Sequence, residues 1–135
     1  MSDDVVMDDI IYRFYLLDGG GIRMAKTETE VRAIINRYVD FLAKELNVKR
    51  VILFGSYARG TATEDSDIDI AIESSDFGDN YVKDWQKLYR CVWRSGVEPI
   101  IEPRPLHPGV NSMIKDEIVK NGIVIYEAEL SRKSK

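Results

Sequence analysis

The fold of this chain is indicated by the stretch Val51-Ile52-Leu53-Phe54-Gly55-Ser56, followed after ten intervening residues by Asp67-Ile68-Asp69-Ile70. The first stretch is an apolar run that ends in a glycine-serine turn, and the second alternates acidic and apolar residues. Because side chains on a β-strand point alternately to its two faces, this pattern predicts two carboxylates on one face and isoleucines on the other.

The spacing of the two aspartates also has a chemical consequence. Carboxylates held at positions i and i+2 of a strand repel each other, so each raises the pKa of the other unless a cation lies between them. A divalent cation relieves this repulsion. Paired carboxylates beside a glycine-serine turn are therefore typical of a divalent-metal nucleotide site.

The pattern Gly-Ser-x10-Asp-x-Asp resembles that of the DNA polymerase β-like nucleotidyltransferases, and more narrowly that of the minimal nucleotidyltransferases. The resemblance extends over about residues 27–126. It implies an α/β (α+β) nucleotidyltransferase fold, with a mixed central sheet of about four strands and helices packed on it. It also implies transfer of a nucleoside monophosphate, with AMP from ATP expected, and two Mg²⁺ ions bound by Asp67 and Asp69.

The resemblance further implies a third carboxylate from a neighbouring strand, which we expect over residues 97–101. Glu98 is the first candidate as catalytic residue and metal ligand, although Pro99 follows it directly. Glu102 is the substitute. On the same strand it would point the same way, about 13 Å further along, which makes it the weaker candidate.

Four residues are expected to contact the nucleotide: Gly55, Ser56, Arg59 and Ser66. Glycine lets phosphates approach the backbone, and a helix that starts there offers free N–H groups to an anion. For Arg59 two interpretations stay open. It reaches a phosphate, or it is a solvated partner of the acidic residues Glu64 and Asp65.

Helical and strand patterns alternate along the chain. The capping box at Thr27 and Glu30 predicts a helix that ends near Asn47. Further elements are predicted as strands over 48–54, 67–73, 97–101 and 123–126 and helices over 81–95 and 112–121. We predict an N-terminal extension over 1–25, a nucleotidyltransferase domain over 26–127 and a charged tail over 128–135. Either the extension packs on the domain, or Met24 is the natural start.

Composition limits the class of protein. The net charge of −4 argues against nonspecific nucleic-acid binding, and the apolar runs fall short of the ~20 residues that span a membrane. The acidic N-terminus does not resemble a secretory signal, so a cytoplasmic location is expected. The single cysteine, Cys91, is expected to be buried, and the single histidine, His107, is expected in a loop.

The aromatic residues Trp85, Tyr89 and Trp93 recur every four residues on one predicted helix. A helical stripe of this kind is typical of core packing. The alternative is a face that binds a partner, because large aromatic side chains anchor interfaces.

The resemblance also suggests a partner. Minimal nucleotidyltransferases are often paired with a small helical HEPN protein, and some act as antitoxins that adenylylate a tyrosine of that partner. We therefore expect AMP transfer to a HEPN-type toxin. The alternatives are an antitoxin that acts by complex formation with little or no catalysis, and transfer to a small molecule of the aminoglycoside type. Self-association into a homo-oligomer is left open.

Overall fold

The computed structural model describes residues 24–107 and 110–128, which contain four strands and four helices. The elements follow in the order α1 (Glu28–Glu45), β1 (Val48–Phe54), α2 (Gly55–Arg59), β2 (Ile68–Ser74), α3 (Tyr81–Ser95), β3 (Ile101–Pro105), α4 (Ser112–Asn121) and β4 (Ile123–Glu127). The strands form one mixed sheet in the order β3-β2-β1-β4. β1 is antiparallel to β2 and β4, whereas β3 is parallel to β2. This confirms the predicted fold class.

The extension predicted over 1–25 and the tail predicted over 128–135 lie almost wholly outside the described residues. None of the described helices combines the length and the apolar composition needed to cross a membrane.

α1 begins as the sequence predicts. The Thr27 hydroxyl accepts a hydrogen bond from the Glu30 backbone N–H at 3.2 Å, and the Glu30 carboxylate accepts one from the Thr27 N–H at 2.8 Å. This reciprocal pair satisfies backbone donors that a helix start leaves without partners. α1 and α3 then pack together and cover one face of the sheet. Their contribution to the core consists of Val31, Ile35, Tyr38, Val39, Leu42, Leu88, Cys91 and Val92.

β2 divides its side chains as the alternation predicts. Ile68, Ile70 and Ile72 are fully buried beneath α1 and α3. The acidic side chains therefore lie on the opposite face, where α4 covers part of the sheet. The small cluster under α4 consists of Ile52, Phe54 and Ala71, packed against Leu106, Ile114 and Ile118. The part of this face that α4 leaves uncovered carries the candidate site.

β3 begins four residues later than the sequence predicts, so the expected strand over 97–101 is wrong. The Ile68 N–H donates to the Ile100 carbonyl at 2.8 Å, and the Leu106 N–H donates to the Ile72 carbonyl at 2.8 Å. The even-numbered residues of β3 thus hydrogen-bond to β2, and the odd-numbered ones direct their backbone outward. Pro103 and Pro105 therefore sit where an edge strand needs no donor.

The aromatic stripe of Trp85, Tyr89 and Trp93 on α3 is not packed into the core, although its periodicity favours core packing. Leu88, Cys91 and Val92 are buried, whereas Trp93 is 71% exposed and Trp85 is 37% exposed. The core-packing interpretation is therefore wrong for both tryptophans. Cys91 is buried as expected.

The Tyr38 hydroxyl links the two core helices, because it donates to the Leu88 carbonyl at 2.8 Å. Burial raises the pKa of this phenol, so it stays protonated and remains a donor. Tyr38→Phe should therefore lower the free energy of unfolding by about 1 kcal/mol, the usual net value of one buried hydrogen bond. Urea denaturation measures this change. An unaltered midpoint would show that this bond does not stabilise the pairing of α1 with α3.

Candidate active site

The turn after β1 and the acidic strand β2 are in direct contact. Gly55, the first residue of α2, has a φ of +75°, a conformation that favours glycine. A Cβ placed on Gly55 would overlap the carboxylate Oδ2 of Asp69 and stand 3.0 Å from its Cγ. The backbone of Gly55 therefore lies against the Asp69 carboxylate. The apolar run of β1 ends directly before Gly55. Because β1 pairs with β2 and Phe54 lies opposite Asp69, Gly55 is placed beside that carboxylate.

Three carboxyl groups lie near one another at the end of the sheet that Gly55 occupies. Asp69 lies directly opposite Glu102 of β3, and Asp67 comes just before β2. Asp67 is exposed, and partial desolvation, followed by the charge of Glu102, raises its pKa. The same two causes lead in raising the pKa of Asp69 to about 6, and the Asp67 charge adds to them. Glu102 is thus the main acidic neighbour of both aspartates.

Two arginines act against this accumulation of negative charge. The charges of Arg104 and, more weakly, Arg59 lower the pKa of Asp69, although burial and Glu102 outweigh them. Arg104 follows Glu102 on the same face of β3, opposite Ala71. The sequence gives no direct sign of Arg104, but its even position in β3 places it with Glu102 once the register of the strand is known.

Glu102 is held by an aromatic residue of α3. The Tyr89 hydroxyl donates to Oε2 of Glu102 at 2.7 Å. The Tyr89 ring packs edge-on against Trp85, with ring centroids 5.1 Å apart. Burial and this bond to Glu102 raise the pKa of the Tyr89 phenol, which keeps it a donor. Sequence patterns place Tyr89 on a stripe but give no sign of this contact.

Glu98 lies elsewhere. It precedes β3 in the connection from α3, is largely exposed, and forms an ion pair with Lys26 at 3.0 Å. The later start of β3 explains this difference from the expectation. Glu102 takes the second position of the strand, which the predicted register assigned to Glu98. The structure therefore brings Glu102, and not Glu98, together with the aspartate pair.

The remaining candidates lie around this cluster. Arg59 pairs with Glu117 of α4 at 2.6 Å, a partner from a distant segment that neither interpretation of the sequence named. Ser66 shapes the turn before Asp67, because its hydroxyl accepts from the Thr63 N–H at 2.8 Å. Ser56 is partly exposed in the first turn of α2. His107 follows β3, and its ring packs edge-on against Tyr81.

The donor set fits Mg²⁺ in its chemistry. Carboxylate oxygens are the ligands that Mg²⁺ prefers, and the ion keeps several waters, so two carboxylates suffice. Over residues 24–107 and 110–128, no three His, Cys, Asp or Glu side chains converge closely enough to hold a metal ion as they stand. Because burial and Glu102 raise the pKa values of Asp67 and Asp69, a bound cation would stabilise their ionised forms.

The contact between Gly55 and Asp69 predicts the effect of a Cβ at position 55. Gly55→Ala should destabilise the chain through both backbone strain and overlap with the carboxylate, by about 3 kcal/mol in total. Gly60→Ala is the matched control. Gly60 has a φ of +78°, but a Cβ added there meets nothing within 4 Å. Its cost should be backbone strain alone, about 1 kcal/mol. Equal losses in urea denaturation would contradict the contact.

The raised pKa of Asp69 predicts a pH-dependent cost. The folded chain binds the Asp69 proton more tightly than the unfolded chain, whose value is near 3.8, so stability falls as pH rises through about 6. In magnesium-free buffer at pH 7, Asp69→Asn should stabilise the fold by on the order of 1 kcal/mol, a value discounted for partial exposure. The gain should vanish near pH 4. Asp65→Asn, which removes an exposed charge from the preceding turn, should leave stability unchanged at both pH values.

Comparison with curated proteins identifies relatives among archaeal proteins. A candidate protein adenylyltransferase of Methanocaldococcus jannaschii is 36% identical over 80 residues, which cover 58% of this chain and 79% of the relative. Another from the same organism is 48% identical over 48 residues, which cover 36% of this chain and 48% of the relative. Protein adenylyltransferase MntA of Thermococcus cleftensis is 38% identical over 47 residues, covering 35% and 48%. Against four such relatives from Methanocaldococcus jannaschii, the chain spans about half of their length.

Solved structures share the fold. A candidate nucleotidyltransferase from Sulfolobus solfataricus matches 81% of this chain and 95% of its own, with a TM-score of 0.53 and 23% identity. A mutant of the toxin-antitoxin MntA-HpeT matches 69% and 72%, with a TM-score of 0.53 and 24% identity. The family model described as nucleotidyltransferase domain matches residues 35–125, from the middle of α1 into β4. The chain therefore belongs to the nucleotidyltransferase domain family.

Proposed function

We propose that this chain is a magnesium-dependent nucleotidyltransferase that transfers AMP from ATP to a tyrosine hydroxyl of a protein acceptor. The observation that carries the proposal is the contact between the Gly55 backbone and the Asp69 carboxylate. This contact holds the glycine-serine turn, which suits a triphosphate, directly beside the carboxylates that suit a metal ion. Membership of the nucleotidyltransferase domain family supports it.

Each site residue then has a definite role. Asp67 and Asp69 would hold Mg²⁺, and Glu102 would add the third carboxylate from β3. Gly55 and Ser56 would contact the triphosphate through the backbone and the serine hydroxyl. Arg59 would reach a phosphate after leaving Glu117. Ser66 would shape the turn that carries Asp67. Mg²⁺, when bound, supplies positive charge to the attacking and leaving oxygens of an in-line displacement.

The chemical step is a single displacement at phosphorus. The acceptor oxygen forms a bond to the α-phosphorus of ATP, and the bond from that phosphorus to the bridging oxygen breaks. Pyrophosphate leaves with the electron pair. The hydroxyl proton passes to a carboxylate or to water. Glu102 is the carboxylate on the side of the aspartate pair that lies away from Gly55. The carboxylates of Asp67, Asp69 and Glu102 are positioned by the two neighbouring strands β2 and β3, and would hold the reactants in line without large motion.

The protein acceptor is suggested by the relatives. Several are named protein adenylyltransferases, and a structure of the same fold belongs to the toxin-antitoxin MntA-HpeT. The resemblance to minimal nucleotidyltransferases points in the same direction, toward a HEPN-type toxin. We therefore include a HEPN-type partner and the role of antitoxin in the proposal, together with a cytoplasmic location.

The position of Glu102 also bears on an antitoxin without catalysis. Glu98, the expected third carboxylate, is followed by Pro99 and pairs with Lys26, so it does not supply the third acid. Because Glu102 stands opposite Asp69, a third acidic residue lies near the aspartate pair, although the three side chains do not converge on one metal position as they stand. This supports catalysis over binding alone.

Transfer of label from α-labelled ATP to a HEPN-type protein tests the proposal. The wild-type chain should label the acceptor in the presence of Mg²⁺, and chelation should abolish labelling. The double variant Asp67→Asn, Asp69→Asn should lose activity by at least about 1,000-fold, because it removes the groups that hold the metal. Equal labelling by that variant would overturn the proposal.

Two glutamate variants test which residue supplies the third carboxylate. Glu102→Gln should lower kcat by about 100-fold or more, since it removes a charge beside the reacting centre. Glu98→Gln is the matched control. It breaks only the ion pair with Lys26, in which the Glu98 side chain is 55% exposed, so its activity should stay within about twofold of wild type. The reverse order of these two effects would show that Glu98 is the ligand.

A further inference from the structure

The exposed aromatic residues of α3 line a groove beside the candidate site. This aromatic groove has a volume of about 680 Å³ and opens to solvent. Its walls consist of Trp85, Gln86, Tyr89, Arg90, Trp93 and Glu102. Glu102 belongs both to the groove and to the acidic cluster, so the two are continuous.

The order of the strands indicates on which side of the reacting phosphorus the groove lies. Gly55 follows β1, Asp69 lies on β2 and Glu102 lies on β3, and these strands are neighbours in the sheet. The groove comes next, beyond the β3 edge. In an in-line displacement the attacking and leaving groups lie on opposite sides of the phosphorus. If pyrophosphate departs toward Gly55, the acceptor oxygen must arrive from the side of Glu102.

We propose that the aromatic groove is the docking surface for the acceptor polypeptide, which places its tyrosine hydroxyl beside Glu102. This inference rests on the proposed function and specifies where its acceptor binds. A tyrosine of the chain itself already contacts Glu102 from the side of the groove. The Tyr89 phenol, which lines the groove, reaches Oε2 of Glu102 at 2.7 Å. A phenol that enters from this side therefore meets the carboxylate.

The charge of α3 specifies the acceptor further. Although the chain as a whole carries a net charge of −4, Arg90 lines the groove, and Arg94 pairs with Glu45 of α1. Both belong to a row of basic residues that recur every three or four positions on α3. They are Lys83, Lys87, Arg90 and Arg94. An acceptor segment with acidic residues flanking an apolar or aromatic centre is complementary to this surface. Trp93, which is 71% exposed, is the natural anchor.

The groove carries its own reporter, because Trp85 and Trp93 are the two tryptophans of the chain. A short acidic peptide with one central tyrosine between leucines serves as the probe, and tryptophan emission is excited where tyrosine does not absorb. The full chain should show a saturable change in emission. The variant Asp67→Asn, Asp69→Asn should bind the peptide as the wild type does, because docking does not require the metal site.

Trp93→Ala should weaken peptide binding about 10-fold or more, the usual effect of truncating an interface anchor. Trp85 remains as the reporter in this variant. Val119→Ala is the control, since Val119 is 85% exposed on α4 and does not line the groove. It should bind the peptide as the wild type does.

Several outcomes would overturn the docking surface. One is the lack of a saturable change with peptide. Another is an emission change caused by ATP that competes with the peptide, which would assign the groove to the nucleobase. A change that depends on protein concentration alone would assign it to a second copy. Peptide binding without AMP transfer by the wild type would contradict the proposed function and leave the groove as a peptide-binding surface. Transfer to the peptide without groove binding would contradict this inference alone.

Discussion

The close approach of the Gly55 backbone to the Asp69 carboxylate organises the candidate site. It requires a residue without a Cβ at the end of β1 and a carboxylate on the strand that pairs with β1. The sheet provides both, since Phe54 and Asp69 are cross-strand partners. The glycine-serine turn and the acidic residues are therefore fixed relative to each other by backbone pairing and not by flexible side chains. A rigid frame of this kind suits a reaction that depends on alignment.

The acidic cluster accumulates charge that the fold itself does not need. Burial and the charge of Glu102 raise the pKa of both aspartates, and two arginines offset only part of this effect at Asp69. A protein that stores such repulsion at one edge of its sheet gives up stability there, which is usual for functional sites. The Tyr89 hydroxyl and the aromatic groove continue this site beyond β3. The reacting centre and the docking surface thus share one residue, Glu102.

Much of the fold could be predicted from the sequence, because its signals are local. The capping box at Thr27 and the alternation of Ile68, Ile70 and Ile72 place α1 and β2 to within a residue or two. The bounds predicted for the third strand were wrong for a physical reason. Apolar and proline residues continue at odd positions from 97 to 105, so alternation fixes the face of each residue but not the ends of the strand. Pairing with β2 decides where the strand begins, and it therefore brings Glu102, and not Glu98, beside Asp69.

The other differences also arise from tertiary contacts. Arg59 meets Glu117, 58 positions away in the chain. The stripe of Trp85, Tyr89 and Trp93 has the periodicity of a core face, yet Leu88, Cys91 and Val92 take the buried side of α3. Helical periodicity defines a stripe but not which of two adjacent stripes meets the sheet.

The most direct measurement is a crystal structure of the chain with Mn²⁺ and a non-hydrolysable ATP analogue, with the metal located by its anomalous scattering. The account predicts metal density between Asp67 and Asp69, within reach of Glu102, and a triphosphate against the backbone of Gly55 and Ser56. Phosphates bound away from that turn, or aspartates without metal, would contradict it.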